Sequence, residues 1–215
     1  MKFFPLRKSR QELVAEQRAL ASSLELEATA LRGEVAELRE LLQHLDEDMD
    51  LLLTAIEQLD PGKSNLELAE AMHRLVFRRF DLASFYVALV DWDRDQLDFV
   101  FYHEGGRPRP HPSRQFSGMP GLTGKAIHSG APLYTRTLEE AQAGGAVFTE
   151  AEKGSGLVPS SWYGVPLGST KRPFGLVSYQ SFQVDAFPEP RRRVLNALSE
   201  VLAMAIFTGR HLHGK

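Results

Sequence analysis

The first sixty residues carry apolar side chains at two of every seven positions. One series starts at Val14 and a second at Gln17, three residues later, and this offset defines the a and d positions of a heptad repeat. Thirteen of the fourteen positions in the two series are apolar, and Gln17 is the exception. No proline interrupts 14–59, so the pattern predicts one helix about 70 Å long at 1.5 Å per residue.

A lone helix of this kind cannot bury its apolar stripe, and leucine at six successive d positions favours a parallel dimer. Glu27 and Glu34 fall at g positions and Arg32 and Arg39 at e positions, which pairs opposite charges across such a dimer. A helix that folds back on its own domain is the alternative. We predict that residues 1–60 form a dimerisation coiled coil. Its predicted seam contains Leu24, Leu31, Val35, Leu38, Leu42, Leu45, Met49, Leu52, Ile56 and Leu59.

Beyond this helix the pattern changes to short apolar runs separated by turn residues. Pro61 and Gly62 both break helices, so 61–65 is predicted as a linker. Two antiparallel hairpins flanked by amphipathic helices predict an α+β domain over 66–210, with a tail at 211–215. The predicted elements are a helix over 66–80, strands over 84–93 and 97–105, a loop over 106–115, a helix over 121–130, an extended segment over 131–136, strands over 160–168 and 173–182, and a helix over 188–210.

Composition and charge narrow the class of protein. Hydrophobic residues make up 43% of the 215 residues and charged residues 25%, which is enough for a packed core. The net charge of -3 argues against a general nucleic-acid binder. The chain has no cysteine, which excludes disulfides, thiolate catalysis and Cys-ligated zinc. No signal peptide core and no run of 18 apolar residues is present, so we expect a cytoplasmic protein without a membrane segment.

The run "GMPGLTGKAIHSG", residues 118–130, resembles a phosphate-binding loop only superficially. A Walker loop has four residues between its first glycine and its Gly-Lys pair, and a Ser or Thr follows. Five residues separate Gly118 from Gly124 here, and Ala126 follows Lys125. The glycines instead predict a tight turn and a helix start near a pocket, where helix N–H groups would favour an anionic ligand.

Three stretches, in order, resemble a GAF domain, the small-molecule sensing module of signalling proteins. They are "GLTGKAIHSGAPLYTR", "SSWYGVPLGSTKRPFGLVSYQS" and "FPEPRRRVLNALSEVLAMAI", within residues 66–208. The resemblance implies a central antiparallel sheet flanked by helices, with both terminal helices on one face and a pocket on the other. Together with the heptads, it gives the predicted fold class: a GAF-like α+β domain preceded by a long N-terminal coiled-coil helix.

The same resemblance implies which residues would contact a ligand, because family ligands lie between the sheet and the segments that carry them. Core packing is the alternative role of the aromatic residues in the set. No cofactor and no metal is predicted, although His103 and His111 are the two histidines suited to a haem or metal. The predicted ligand-binding residues are Phe101, His103, Arg114, Phe116, Leu122, Lys125, Tyr134 and Trp162.

The sequence gives little support for catalysis. No G-x-S-x-G motif occurs, and the GAF-type methionine sulfoxide reductases need cysteines. The cyclic-nucleotide pattern of GAF domains is incomplete around Phe148. We therefore expect a non-enzymatic homodimeric sensor that binds a small molecule or a partner and acts on a separate signalling protein. The alternatives are a ligand-free scaffold that recruits a protein through the coiled coil, and a catalytic GAF enzyme.

Overall fold

A computed structural model describes residues 9–110, 113–147 and 158–212. The chain divides into two compact units between Met49 and Asp50. Helix α1, Arg10–Gln58, supplies all the described structure of the first unit. The predicted seam side chains of that unit lie on its surface, and Leu38 is 58% exposed. Among the described residues, no helix is both long and apolar enough to cross a membrane.

The last turns of α1 belong to the second unit and pack into its core. Ala55 is fully buried and Leu59 is 3% exposed, while Leu51 and Leu52 pack against the same cluster. The sequence analysis assigned Leu59 to the coiled-coil seam, but in the structure its side chain is occupied within its own domain. At this end the observed contacts therefore differ from the predicted seam. Leu51, Ala55 and Leu59 are spaced four apart, so they share one face, and that face packs against the domain core.

The sheet joins the two predicted hairpins through their first and last strands. Its order is β3-β2-β1-β7-β6-β5, with β4 also paired to β2, and every pairing is antiparallel. This arrangement confirms the predicted α+β fold class. The strands are β1 Ser84–Asp91, β2 Gln96–Glu104, β3 Arg107–Pro108, β4 Arg114–Gln115, β5 Leu133–Thr135, β6 Ser161–Leu167 and β7 Gly175–Ser181.

The segment predicted as a loop over 106–115 contributes two of these strands. Arg107 and Pro108 pair with the end of β2, and Arg114 and Gln115 pair with its start. Both additions use the edge of β2 that faces away from β1. Extended, proline-rich backbone suits such an edge position, because it needs few ladder hydrogen bonds. This placement brings Arg114 beside the sheet.

Four further helices among the described residues flank the sheet. Ser64 caps α2: its hydroxyl accepts a hydrogen bond from the backbone N–H of Glu67, and the Glu67 carboxylate accepts one from the Ser64 N–H. Pro120 precedes α3, and Thr137 caps α4. The described helices after α1 are α2 Asn65–Val76, α3 Gly121–Ser129, α4 Leu138–Ala143 and α5 Glu189–Leu212.

Alternation along the strands separates two cores, one on each sheet face. Phe85, Val87 and Leu89 of β1 face a core built with α2, α5 and the end of α1. The intervening residues of β1 face a second core that includes α3 and α4. Terminal helices therefore cover one face, as the resemblance implied. We call the first side the helix face and the second the pocket face.

Candidate ligand-binding pocket

A cavity of about 100 Å³ lies on the pocket face, between the sheet and the start of α3. Strands β1, β2, β6 and β7 form its floor, and α3, α4 and their connecting segments form its rim. The volume has room for water molecules or a compact ligand group. Its lining residues are Tyr86, Phe99, Tyr102, Arg114, Met119, Pro120, Gly121, Leu122, Thr123, Ala141, Ala146, Val147, Pro159, Trp162 and Gln180.

Three aromatic rings from β1 and β2 form one wall. The Tyr86 ring lies 5.4 Å from Phe99 and 5.6 Å from Tyr102, measured between centroids. A bulge in the β1–β2 ladder places Val87 opposite Phe101 but Ala88 opposite Phe99. Because the bulge changes the alternation of β2, Phe99 and Tyr102 reach the same face although they are three positions apart.

Trp162 of β6 forms a second wall and is 7% exposed. Its indole lies over Gly164, two residues along the same strand face. A Cβ atom at Gly164 would lie inside van der Waals contact with the six-membered ring of the indole. Glycine is therefore required here by close approach, because any larger residue would push Trp162 out of its position.

The rim of the pocket carries polar groups that favour negative charge. The first turn of α3 offers backbone N–H groups, and its N-cap residue Pro120 makes no side-chain capping bond. The Tyr86 hydroxyl lies 2.6 Å from the hydroxyl of Thr123 in this turn. Arg114 adds a guanidinium group, and Gln180 adds an amide that is 8% exposed. The combination suits a small molecule with an anionic group and an apolar or aromatic body.

Three of the predicted ligand-binding residues, Arg114, Leu122 and Trp162, line this pocket. Phe116 belongs to the core of the same face but not to the cavity lining; its ring stacks on His128 at 4.6 Å and is 2% exposed. Lys125 is exposed, and its Nζ donates a hydrogen bond to the carbonyl oxygen of Gly144 at 2.6 Å. Phe116 and Lys125 therefore support the pocket from outside its lining.

Phe101, His103 and Tyr134 lie on the helix face and do not line this cavity, so the cavity does not support their predicted role in ligand binding. Phe101 belongs to the helix-face core, and His103 pairs with Phe85 of that core across the β1–β2 ladder. The reason is the period of two along a strand: a residue and its immediate neighbour point to opposite faces. Tyr102, between Phe101 and His103 in β2, is the one that lines the pocket.

Tyr134 anchors the start of α5 instead of a ligand. Its hydroxyl donates to Asp185 Oδ1 at 2.7 Å and accepts from the Phe187 N–H at 3.2 Å. Arg192 of α5 lies over the ring at 4.7 Å. Burial, with the Asp185 hydrogen bond, raises the pKa of the Tyr134 hydroxyl to about 12. These contacts connect the edge strand β5 to the closing helix.

The pocket-facing residues of β1, β2 and β7 were not predicted from the sequence, although the alternation of side chains along β1 indicates one of them. In "SFYVALV" the alternation alone places Tyr86 opposite to Phe85 and Val87. His111 and Phe148 lie outside the described residues. Within the described ranges, no group of three or more His, Cys, Asp or Glu side chains is placed to hold a metal ion.

Comparison with known proteins rests on structure alone, because no family model and no curated protein matches the sequence. Similar solved structures include the GAF domain of an Acinetobacter phosphoenolpyruvate-protein phosphotransferase: 18% identity, TM-score 0.63, covering 77% of this chain and 94% of that one. The GAF domain of a phosphoenolpyruvate-protein phosphotransferase from Coxiella burnetii shares 14% identity at TM-score 0.62, covering 78% and 97%. Free methionine-R-sulfoxide reductase from Neisseria meningitidis, solved with its substrate, shares 17% identity at TM-score 0.62, covering 77% and 91%. At these identities the likeness establishes a GAF fold.

Proposed function

We propose that this protein is a non-enzymatic homodimeric sensor whose GAF-fold domain binds a small anionic molecule in the pocket-face cavity. The observation that carries the proposal is the pairing of an aromatic wall with a positively polarised rim. Tyr86, Phe99 and Trp162 supply apolar surface, while Arg114 and the first turn of α3 supply attraction for a carboxylate or phosphate. Because the apolar wall and the positively polarised rim lie apart, they favour one orientation of a bound molecule.

The residue types that line the cavity support ligand binding without catalysis. Among the described lining residues, none is His, Cys, Asp or Glu, the types that most often act as general acids, bases or nucleophiles. The Neisseria reductase shares the fold and binds a small substrate. The present sequence contains no cysteine, so a cysteine-based reductase reaction has no nucleophile here. We therefore assign binding, and not turnover, to this cavity.

The proposed dimer rests on the first unit of the chain. Seven of its predicted seam residues, from Leu24 to Met49, are between 43% and 60% exposed in a single chain. An apolar stripe of this length needs a partner, and its heptad spacing suits a second copy of the same helix. Leu13, Leu20 and Leu41, also exposed, occupy g positions and widen the stripe. The dimer would hold two sensor domains together.

A route from the pocket to α5 exists within the domain. Trp162 lines the cavity, and its neighbour Tyr163 points to the helix face, where its hydroxyl donates to Asn196 Oδ1 at 2.6 Å. Tyr179 of β7 meets Ser199 of the same helix at 2.8 Å. A ligand that shifts β6 would alter these bonds, provided that it binds one packing of the helix more tightly than the other.

Ligand-induced thermal stabilisation tests the binding proposal. A panel of small carboxylic acids is compared with the matching neutral amides on wild type, on Trp162→Ala and on Phe182→Ala. Phe182 is 50% exposed and lies outside the pocket lining, so it is the matched control. We expect at least one acid to raise the melting temperature saturably, its amide to do so less, and Trp162→Ala to abolish the effect. An equal response in Trp162→Ala, or no response to any acid, would contradict the proposal.

A ligand-free scaffold is the second candidate function. The observation that favours it is the small size of the cavity, about 100 Å³, which side chains of the lining would close with modest movement. The scaffold would recruit a separate signalling protein through the exposed side of α1. It predicts a partner captured by wild type but lost on Leu31→Asp, with no ligand effect in the thermal screen.

A further inference from the structure

Gln180 of β7 is a buried polar side chain in the floor of the pocket-face cavity. It is 8% exposed and lines the cavity. In the β6–β7 ladder it lies directly opposite Trp162, so the amide and the indole share one face of the sheet. Because β7 pairs with β6 on one side and with β1 on the other, the backbone of Gln180 is fixed on both sides. The amide is therefore part of a built site.

Most of the hydrogen-bonding capacity of this amide is unused. Gln180 Nε2 donates a hydrogen bond to Ser178 Oγ at 3.3 Å, which is longer than the usual range for such bonds. Among the described residues this is the only hydrogen bond of the side chain, so Oε1 accepts none. Buried polar atoms nearly always have a partner, because burial removes their hydration. A hydrogen-bond donor inside the cavity would supply the partner that Oε1 lacks.

The polar groups next to Gln180 connect it to the first turn of α3. Ser178 lies opposite Tyr86 in the β1–β7 ladder, where directly opposite Cα atoms are about 4.5–5.5 Å apart. The hydroxyl of Tyr86 in turn lies 2.6 Å from the hydroxyl of Thr123 in α3. These residues form a continuous row from the floor of the cavity to its rim. A short molecule can therefore contact the start of α3 with a carboxylate and Gln180 with an adjacent group.

The donor that suits Gln180 is a neutral one. None of the described lining residues is Asp or Glu, whereas Arg114 brings a positive charge. Glu104 lies in the same row of the sheet as Gln180 but two strands away, and it does not line the cavity. An ammonium group would lose its hydration there without gaining a counter-charge, which is costly. A hydroxyl group needs only an acceptor, and the amide oxygen is one.

The volume of the cavity limits the rest of the ligand. An apolar cavity of about 150 Å³ accommodates a benzene ring. The present cavity is smaller, about 100 Å³, so it suits a short aliphatic chain better than an aromatic ring. The rings of Phe99 and Trp162 supply the apolar surface that such a chain would contact.

We propose that the cavity binds a compact aliphatic hydroxy acid and that Gln180 selects its hydroxyl group. The carboxylate lies at the first turn of α3, the hydroxyl donates to Gln180 Oε1, and the carbon chain contacts Trp162. This inference rests on the proposed binding of a small anionic molecule, and it adds the neutral donor as the feature that the pocket distinguishes.

Calorimetric titration of the intact wild-type protein at constant ionic strength tests the selection. The probes are lactate, 2-fluoropropionate and alanine, which share a three-carbon acid skeleton and differ at the second carbon. Fluorine is close to a hydroxyl group in size but donates no hydrogen bond, and alanine carries an ammonium group. We expect lactate to bind about tenfold more tightly than either of the other two, because only lactate satisfies the buried amide oxygen at no cost in charge.

Two glutamine variants assign the selection to a residue. Gln180→Met keeps the length of the side chain and removes its acceptor, so lactate should fall to the affinity of 2-fluoropropionate, whose own affinity stays within about twofold of wild type. The control is Gln183→Met, which changes an exposed glutamine just beyond β7 that does not line the cavity. It should keep the wild-type preference for lactate.

The outcomes separate this inference from the proposed function. Equal binding of lactate and 2-fluoropropionate to wild type would overturn the selection by Gln180 while leaving acid binding in place. Tighter binding of alanine would overturn it too, because the donor would then be charged. A folded Gln180→Met protein that still prefers lactate would assign the selection elsewhere and overturn it. Absence of binding by all three probes, together with no response in the thermal screen of acids, would contradict both proposals.

Discussion

A single residue can fix the position of a neighbouring side chain, and Gly164 does this for Trp162 in the pocket wall. Its missing Cβ leaves the space that the Trp162 indole occupies. We expect Gly164→Ala to destabilise the domain by about 1–3 kcal/mol through overpacking and to displace Trp162 from the cavity. Chemical denaturation measures the first effect, and the Trp162 contribution to fluorescence measures the second.

The matched control for that substitution is Gly33→Ala. Gly33 lies within α1, and an added Cβ there would meet nothing within 4 Å. Alanine favours helix over glycine by about 0.5–1 kcal/mol, so this variant should be neutral or stabilising. Two glycine variants with the same effect would show that the close approach to Trp162 is unimportant.

Tyr134 gives a residue-scale prediction for alkaline pH. Its pKa is raised from 10.0 to about 12 in the folded domain. As the pH rises above 10, the unfolded chain loses this proton first, so folding stability falls through the window up to about pH 12. We expect wild type to lose about 1–2 kcal/mol relative to Tyr134→Phe over this range. Parallel stability curves of the two proteins from pH 9 to 12 would contradict the assignment.

The alternation of side chains along a strand also explains which pocket residues could be predicted from the sequence. Of the predicted ligand-binding residues, Trp162, Arg114 and Leu122 line the cavity. Phe101 was among the predicted ligand-binding residues, but Phe99 lines the cavity instead. The β1–β2 bulge moves the alternation of β2 by one residue. A bulge depends on pairing between strands, so a single strand sequence does not reveal it.

At the scale of elements, periodicity predicted α1, α2, α3, α5 and both hairpins within a few residues. The two-residue strands β3 and β4 were missed because each pairs with β2 through only two residues. Leu59, which follows α1, departs from the predicted exposed seam for another reason. Over two turns a heptad seam and an ordinary amphipathic face have almost the same spacing, so Leu59 fits both patterns. Only the contact with the domain core distinguishes them.

Truncation tests where the domain begins. A chain that starts at Asp50 retains Ala55 and Leu59, whereas one that starts at Asn65 loses both of these core side chains and the Ser64 cap of α2. We expect the first chain to unfold at a temperature close to that of the wild-type domain. The second should be less stable by about 2–5 kcal/mol, the cost of deleting one large core side chain. Equal melting of the two chains would place the boundary in the linker over 61–65.

At the scale of the whole molecule, the seam of α1 and the ligand pocket differ in how far the sequence alone predicts them. The seam of α1 is a local repeat, so the sequence alone indicates it, and its exposure in one chain fits the need for a partner. The pocket depends on segments that lie far apart in the chain, from Tyr86 to Gln180. Its existence could be expected only from the resemblance to a known fold, and its lining required the structure.

The most direct test of the account is the mass of the intact chain in solution, measured by sedimentation equilibrium at micromolar concentration. The account predicts a mass of twice the 24.1 kDa of one chain, and a return to 24.1 kDa when Leu31 and Leu38 are both changed to Asp. Circular dichroism should show that the changed protein keeps its sheet. A wild-type particle of 24.1 kDa at these concentrations would contradict the claim that α1 joins two sensor domains.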